Sequence, residues 1–278
     1  MKIKIDFLDK EIFEEKLKHL KDIDFSLFVE CVPQSQDELS SINIISLYEP
    51  NEYFGRHDWV IQNQSLFNVI LTWNDKVLNN CSNAIYLPFN HTWLNPNQYK
   101  QQYEKEFKIA HLRGALLKSY GHQIRHDIFN RVNEIKTPIK FYPTYGDRYN
   151  LEQAGKDKVE IFGDSQFGVA IENFSHRGWF SEKVLDCFLL KTIPIYWGSS
   201  NIGDFFNEEG IIKFGEADDF IYIANQLTDK YYESKKDAIE ENYQLAIDRI
   251  EKGGLHAYEQ SIIDKVIEIF EFNNIIEK

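Results

Sequence analysis

The residues best suited to chemistry cluster in one stretch, 169–198, with the sequence VAIENFSHRGWFSEKVLDCFLLKTIPIYWG. Lys183 falls in the first turn of a predicted helix, where the macrodipole favours anions, a mismatch of about 0.3–1 kcal/mol. A phosphate bound at that helix start would reverse the sign, because the backbone N–H groups and the ammonium would converge on one anion. A solvated surface lysine is the plain alternative. Arg125, in Gly121-His122-Gln123-Ile124-Arg125, sits in a predicted strand-to-helix loop, and a guanidinium fork suits phosphate oxygens. With Arg131 and Lys136 nearby, the residues alone favour a surface arginine. Glu182 is sufficiently explained as a first-turn acid complementing the helix dipole, and Asn173 as a turn former at a strand end. Glu49 ends a strand before Pro50, where acids often serve only to solvate a loop.

These groups need a frame. Residues 167–171 are apolar and short enough for a buried strand. Glu172-Asn173 ends it and 174–180 is a loop. Ser181 is a good N-cap, and Val184, Leu185, Phe188 and Leu189 give the following helix one apolar face. Residues 193–197 form a second buried strand, ending at Gly198. This is a βαβ unit, and in such sheets ligands bind beyond the carboxyl ends of the strands.

Glu172-Asn173, a seven-residue spacer, Ser181-Glu182-Lys183 and then Ile193-Pro194-Ile195-Tyr196-Trp197-Gly198 resemble the donor-binding signature of the family 10 glycosyltransferases, the α1,3/α1,4-fucosyltransferases, and its bacterial members above all. Several fixed spacings over about thirty residues make the match far more specific than a lone glycine motif. The resemblance implies an α/β fold of GT-B type, with two Rossmann-like lobes whose mostly parallel sheets face a cleft. It implies an inverting transferase that uses GDP-fucose or a close GDP-sugar and needs no metal or other cofactor. Arg125 and Lys183 would hold the diphosphate, Glu182 the ribose hydroxyls, and Asn173 would contact the donor. Trp179 occupies the aromatic slot where bacterial relatives place tyrosine; an indole has no hydroxyl, so a hydrogen bond made there by tyrosine would change. Glu172 would organise the loop. Glu49 would be the general base, with Glu52 as the nearby substitute, and His57, Asp58 and His91 could meet the acceptor. The acceptor would be an oligosaccharide or glycoconjugate, such as a glycan on lipopolysaccharide or capsule. Two rivals remain: the same scaffold with another nucleotide-activated deoxysugar or a UDP-sugar, and a glycan-binding relative without turnover.

The composition narrows the classes. With 31 basic and 44 acidic residues the net charge is −13, which opposes nucleic-acid binding. No apolar run approaches the roughly 20 residues of a membrane span, and no cleavable leader opens the chain. Three cysteines, an odd number without a CxxC pair, suit a reduced, cytoplasmic protein. Animal family members carry an anchor and stem, and by this reading the chain is expected to depart from them. Asp22-Ile23-Asp24 precedes a strand, the wrong end for the D-x-D of metal-dependent transferases, and no GxGxxG or P-loop is present.

Along the chain, strands are expected at 2–7, 25–31, 42–47, 66–73 and 84–87, with helices at 11–20, within 52–64 and at 75–80. The segment 90–105 reads as a linker, and 146–157 as a polar loop. After a strand at 107–112, a helix spans 122–135 and a strand 139–142. The expected domains are an acceptor-side lobe at 1–104, a donor-binding lobe at 105–253, and a C-terminal helix at 254–278 that could return to the first lobe.

Overall fold

The computed structural model describes residues 1–143, 157–251 and 256–272. The expected loop at 146–157 lies almost wholly outside them. The chain divides into two compact units, Met1–Asn90 with the segment from His256 onward, and His91–Leu255. Among the described residues no helix is long and apolar enough to cross a membrane.

In the first unit β1 (Lys2–Ile5), β2 (Phe25–Val29), β3 (Ile42–Leu47), β4 (Val69–Thr72) and β5 (Ala84–Tyr86) form a parallel sheet in that order. Leu27 lies beside Ile44, and Ile44 beside Val69. The period-two alternation of strands divides their side chains between two cores. Phe25, Leu27, Val29 and Ile44 pack with Phe13 of the helix Lys10–Lys16 and with Tyr258, Ile262, Val266 and Phe270 of the helix Ala257–Phe272. Phe28, Ile45 and Leu47 pack on the other side with Val60 and Val77. The last helix thus belongs to the first sheet, and the Ser46 hydroxyl lies 2.9 Å from that of Tyr258.

In the second unit the order is β10 (Ile212–Lys213), β9 (Ile193–Trp197), β8 (Ser165–Ile171), β6 (Glu106–Arg113), β7 (Ile139–Pro143), again parallel. β8 is buried along its whole length, as the continuous apolar run at 167–171 anticipates. It pairs with β6 on one side and with β9 on the other, Phe167 beside Ile193 and Ile171 beside Trp197.

Several expected boundaries move, among them the following. The chain changes unit at Asn90/His91 rather than at 104/105, because 91–104 is bonded into the second unit instead of forming a linker. Thr92 donates its hydroxyl to Asp186 at 2.6 Å, Asn95 closes a capping box on the helix Pro96–Tyr99, and the Tyr243 hydroxyl donates to the Tyr99 carbonyl at 3.1 Å. The strand expected at 66–73 shrinks to Val69–Thr72, the residues before it forming a 3-10 turn. The helix expected at 122–135 is Tyr120–Asn130: the Ser119 cap starts it two residues before His122, and a 3-10 turn at Val132–Glu134 takes the place of its last turn.

Candidate functional site

A cavity of about 250 Å³ opens beyond the carboxyl ends of β6 and β8. Leu112, Val169 and Ile171 supply its apolar wall, and Arg125, Lys158, Lys183 and Glu182 its charged one. Its volume is below the roughly 300–1,000 Å³ of drug-sized sites, enough for part of a nucleotide: a diphosphate with an adjoining ring. Three cations and one carboxylate in a protein of net charge −13 make a local anion trap.

Lys183 is placed by a clamp between two elements. Glu172, fully buried at the end of β8, accepts the Ser181 backbone N–H at 2.8 Å on one oxygen and the Ser181 hydroxyl at 2.6 Å on the other. This closes the 173–180 loop and sets the start of the helix Glu182–Leu189, with Ser181 as its N-cap. The Lys183 ammonium lies 3.0 Å from Ser181 Oγ, 3.1 Å from Glu182 Oε1 and 3.6 Å from Glu172 Oε2. With its side chain 22% exposed, it is not a solvated surface lysine. The cation that opposes the helix dipole is answered by two carboxylates. Burial acts to lower the Lys183 pKa, and Glu182 and Glu172 outweigh it, so the group stays protonated. Burial acts to raise Glu182, and Lys183, Lys158 and His91 outweigh it, so the group stays ionised. Burial dominates at Glu172 and raises it.

Arg125 lies within the helix Tyr120–Asn130, not in a loop before it. It is buried rather than on a basic surface, and it donates to the Ile171 carbonyl and, at 2.9 Å, to Asn173 Oδ1. Gly121 makes this approach possible. A Cβ there would stand 1.8 Å from the Glu172 carbonyl oxygen, whereas the Gly121 N–H donates to the Asn173 carbonyl at 3.2 Å. The helix start therefore rests directly on the end of β8. Burial first, then the charges of Arg125 and Lys183, push the neighbouring His122 down to about 4.

Of the residues expected to meet the donor, Arg125, Glu182 and Lys183 share the cavity wall. Asn173 stands behind Arg125, outside that wall. Trp179 is buried at 3% exposure in the closed loop and is also outside the wall. Glu49 belongs to the first unit, half-buried in the loop after β3. Its backbone N–H donates to Glu30 at 2.9 Å, and Tyr48 N–H donates to the same oxygen at 2.7 Å. Asp58 is taken up by Lys76 at 2.6 Å and Asn51 at 2.9 Å, and His57 is buried.

Four residues of this arrangement escape a linear reading. Lys158 reaches the cavity beside Asp186, 3.5 Å away, and nothing around it in the sequence marks it. Asp186 is fully buried and holds Thr92 and the Trp93 N–H, the latter at 3.2 Å. Trp93 thereby stands at the cavity edge, 58% exposed. Glu30 is buried behind Glu49. Asp186 and Glu30 carry a visible signal, a single acid inside an apolar run.

Two parallel α/β sheets, the second ending at a cation-lined cavity, define a GT-B type fold. No family model matches the chain. Part of it is similar to the alpha-(1,3)-fucosyltransferase FucT of Helicobacter pylori, 31% identical over 124 residues, which is 40% of this chain and 25% of that protein. It is also similar to an alpha-(1,4)-fucosyltransferase of Arabidopsis thaliana, 28% identical over 125 residues, 42% of this chain and 31% of that protein. The chain thus spans about a quarter to a third of the length of these curated relatives. The crystal structure of an alpha1,3-fucosyltransferase with GDP-fucose shares the fold at a TM-score of 0.53 and 18% identity, covering 95% of this chain and 90% of that one.

Proposed function

We propose that this protein is an inverting glycosyltransferase that moves fucose from GDP-fucose to a hydroxyl of an acceptor glycan. The observation that carries the proposal is the convergence of Arg125, Lys158, Lys183 and Glu182 in one cavity beyond the carboxyl ends of β6 and β8. The fucosyltransferase relatives and the GDP-fucose complex of the shared fold support the choice of donor. We assign the chain to glycosyltransferase family 10 on its 172–198 signature.

In this proposal the three cations neutralise the diphosphate as it leaves, which supports chemistry without a metal: fixed charges aimed at developing charge need no reorganisation. Glu182, held ionised, accepts hydrogen bonds from the ribose hydroxyls. The acceptor oxygen attacks the anomeric carbon from the face opposite the diphosphate. The bond from that carbon to the phosphate oxygen breaks, GDP departs, and Glu49 takes the acceptor proton as general base. Asn173 acts through Arg125, and Trp179 fills the closed loop that shapes the donor side. We place the protein in the cytoplasm; its cysteines are buried free thiols, and burial pushes those of Cys31 and Cys187 up to about 12.

The test is thermal stability with GDP, UDP, CDP and ADP, each with and without manganese. A ligand at 100 times its dissociation constant adds about 2.7 kcal/mol. Stabilisation by GDP alone, independent of manganese, is the expected result, followed by release of GDP from GDP-fucose when acceptor is added. Stabilisation by UDP instead would leave the fold and overturn the fucosyl donor. No stabilisation by any of them would favour a glycan-binding protein without turnover.

A further inference from the structure

The carboxyl edge of the first sheet carries a device that the donor cavity does not use. Phe7 follows β1 and Phe54 closes the short helix Asn51–Phe54 after β3. They are 69% and 47% exposed, and their rings stack with centroids 5.4 Å apart at 24°. Arg56 sits against the pair, its guanidinium 4.0 Å from the Phe54 centroid and 5.8 Å from that of Phe7. The same guanidinium is fixed by Asp6 at 2.9 Å and Glu30 at 3.1 Å. Glu30 in turn accepts the backbone N–H groups of Tyr48 and Glu49. One buried carboxylate therefore ties the aromatic pair to the loop that carries Glu49.

The backbone is strained at the same place. Phe7 has φ +70 and Glu30 φ +51, the left-handed region that bulky side chains avoid. Such conformations are unfavourable and cluster at sites that bind ligands or substrates.

We propose that Phe7, Phe54 and Arg56 form an acceptor subsite that stacks one pyranose ring of an oligosaccharide, away from the hydroxyl that Glu49 activates. The inference rests on the transferase reading and adds the residues that would hold a second sugar of the acceptor. A pyranose presents an apolar C–H face ringed by hydroxyls, which suits an exposed phenyl pair with a guanidinium and the carboxylate of Asp6 beside it. Two phenyl faces are far smaller than the roughly 800 Å² per partner that a stable protein interface needs. Phe54 ends the short helix that follows Glu49 and Pro50, so the aromatic pair and Glu49 lie on the same edge of the sheet.

The experiment uses the full chain saturated with GDP on a printed oligosaccharide array, followed by titration of the strongest glycan. Phe7→Leu with Phe54→Leu keeps apolar bulk and removes the ring faces; affinity should fall roughly tenfold. Phe7→Tyr with Phe54→Tyr should bind as the wild type does. The GDP-induced thermal shift should be the same in all three proteins and controls for folding. Equal glycan affinity in the Leu variant, or no glycan retained by wild type that shows the GDP shift, overturns the subsite. Absence of the GDP shift in wild type overturns the transferase reading instead, and ring-dependent glycan binding is still decided by the titration.

Discussion

Glu182→Gln separates the electrostatic role of this carboxylate from its role toward a ligand. The substitution removes a negative oxygen 3.1 Å from the Lys183 ammonium. At an effective dielectric of about 20 that contact is worth on the order of 5 kcal/mol before desolvation. Glu172 still pairs the ammonium from 3.6 Å, and the two side chains keep 17% and 22% of their exposure. The expected net loss at pH 7 is therefore about 1–2 kcal/mol, between the values for surface and buried pairs. Its pH dependence is diagnostic. Burial acts to raise Glu182, but Lys183, Lys158 and His91 hold it below the carboxylate range. A depressed folded pKa gives stability that is present above the unfolded value, about 4.3 for glutamate, and lost as pH falls through the folded one. The wild type should thus lose its advantage over the variant progressively below about pH 4.3 in urea titrations. Glu172→Gln should show the opposite slope. Burial raises that carboxyl, so the wild type carries a cost that grows as pH rises from the unfolded toward the folded value, and the variant lacks it. For the ligand, a lost hydrogen bond to a charged acceptor is worth about 1.5–3 kcal/mol, or roughly a ten- to hundredfold rise in the GDP dissociation constant by calorimetry. A stability gap unchanged from pH 7 to pH 3 would refute the ion-pair argument. A destabilised variant that binds GDP as tightly as the wild type would refute the ribose contact alone.

Gly121→Ala should destabilise by about 3 kcal/mol or more, because its Cβ would stand 1.8 Å from the Glu172 carbonyl oxygen; a midpoint within 0.5 kcal/mol of wild type, roughly the scatter of surface changes, would contradict the described contact between helix and strand. Arg125→Lys replaces a fork that reaches both the Ile171 carbonyl and Asn173 with a single ammonium, and should weaken GDP by roughly tenfold in titration calorimetry. Glu49→Gln should leave GDP affinity unchanged and lower kcat by about 10²–10⁴-fold in a GDP-release assay with acceptor; full turnover would remove Glu49 as the base.

The βαβ unit at 165–197 is legible in the sequence because its determinants are local. A continuous apolar run makes β8, a serine caps the next helix, and a second apolar run makes β9. Lys183 is legible for the same reason, as a cation where the helix dipole disfavours one. Arg125 is not. On its own residues it belongs to a basic surface, and only the approach of Gly121 to the end of β8, residues distant in sequence, buries it. Phe7 and Glu30 hide for another reason: the usual marker of left-handed backbone is glycine or asparagine, and these side chains adopt it without such a marker.

Three buried carboxylates share a trait that links both units. Glu30, Glu172 and Asp186 each interrupt or end an apolar run, and each is at most 1% exposed. Each accepts a backbone N–H from beyond its own strand or helix: Glu30 from Tyr48 and Glu49, Glu172 from Ser181 across its loop, Asp186 from Trp93. Each also faces a cation, Arg56, Lys183 or Lys158, and burial raises the pKa of all three. Ionising such groups is costly, and the bonds to N–H and cation offset that cost only while the loop stays in place. The same energy balance therefore fixes the loop and orients the cation. The groups proposed to meet substrate stand beside these anchors rather than among them: Glu49 on the loop held by Glu30, Glu182 and Lys183 on the helix start held by Glu172, Lys158 against Asp186.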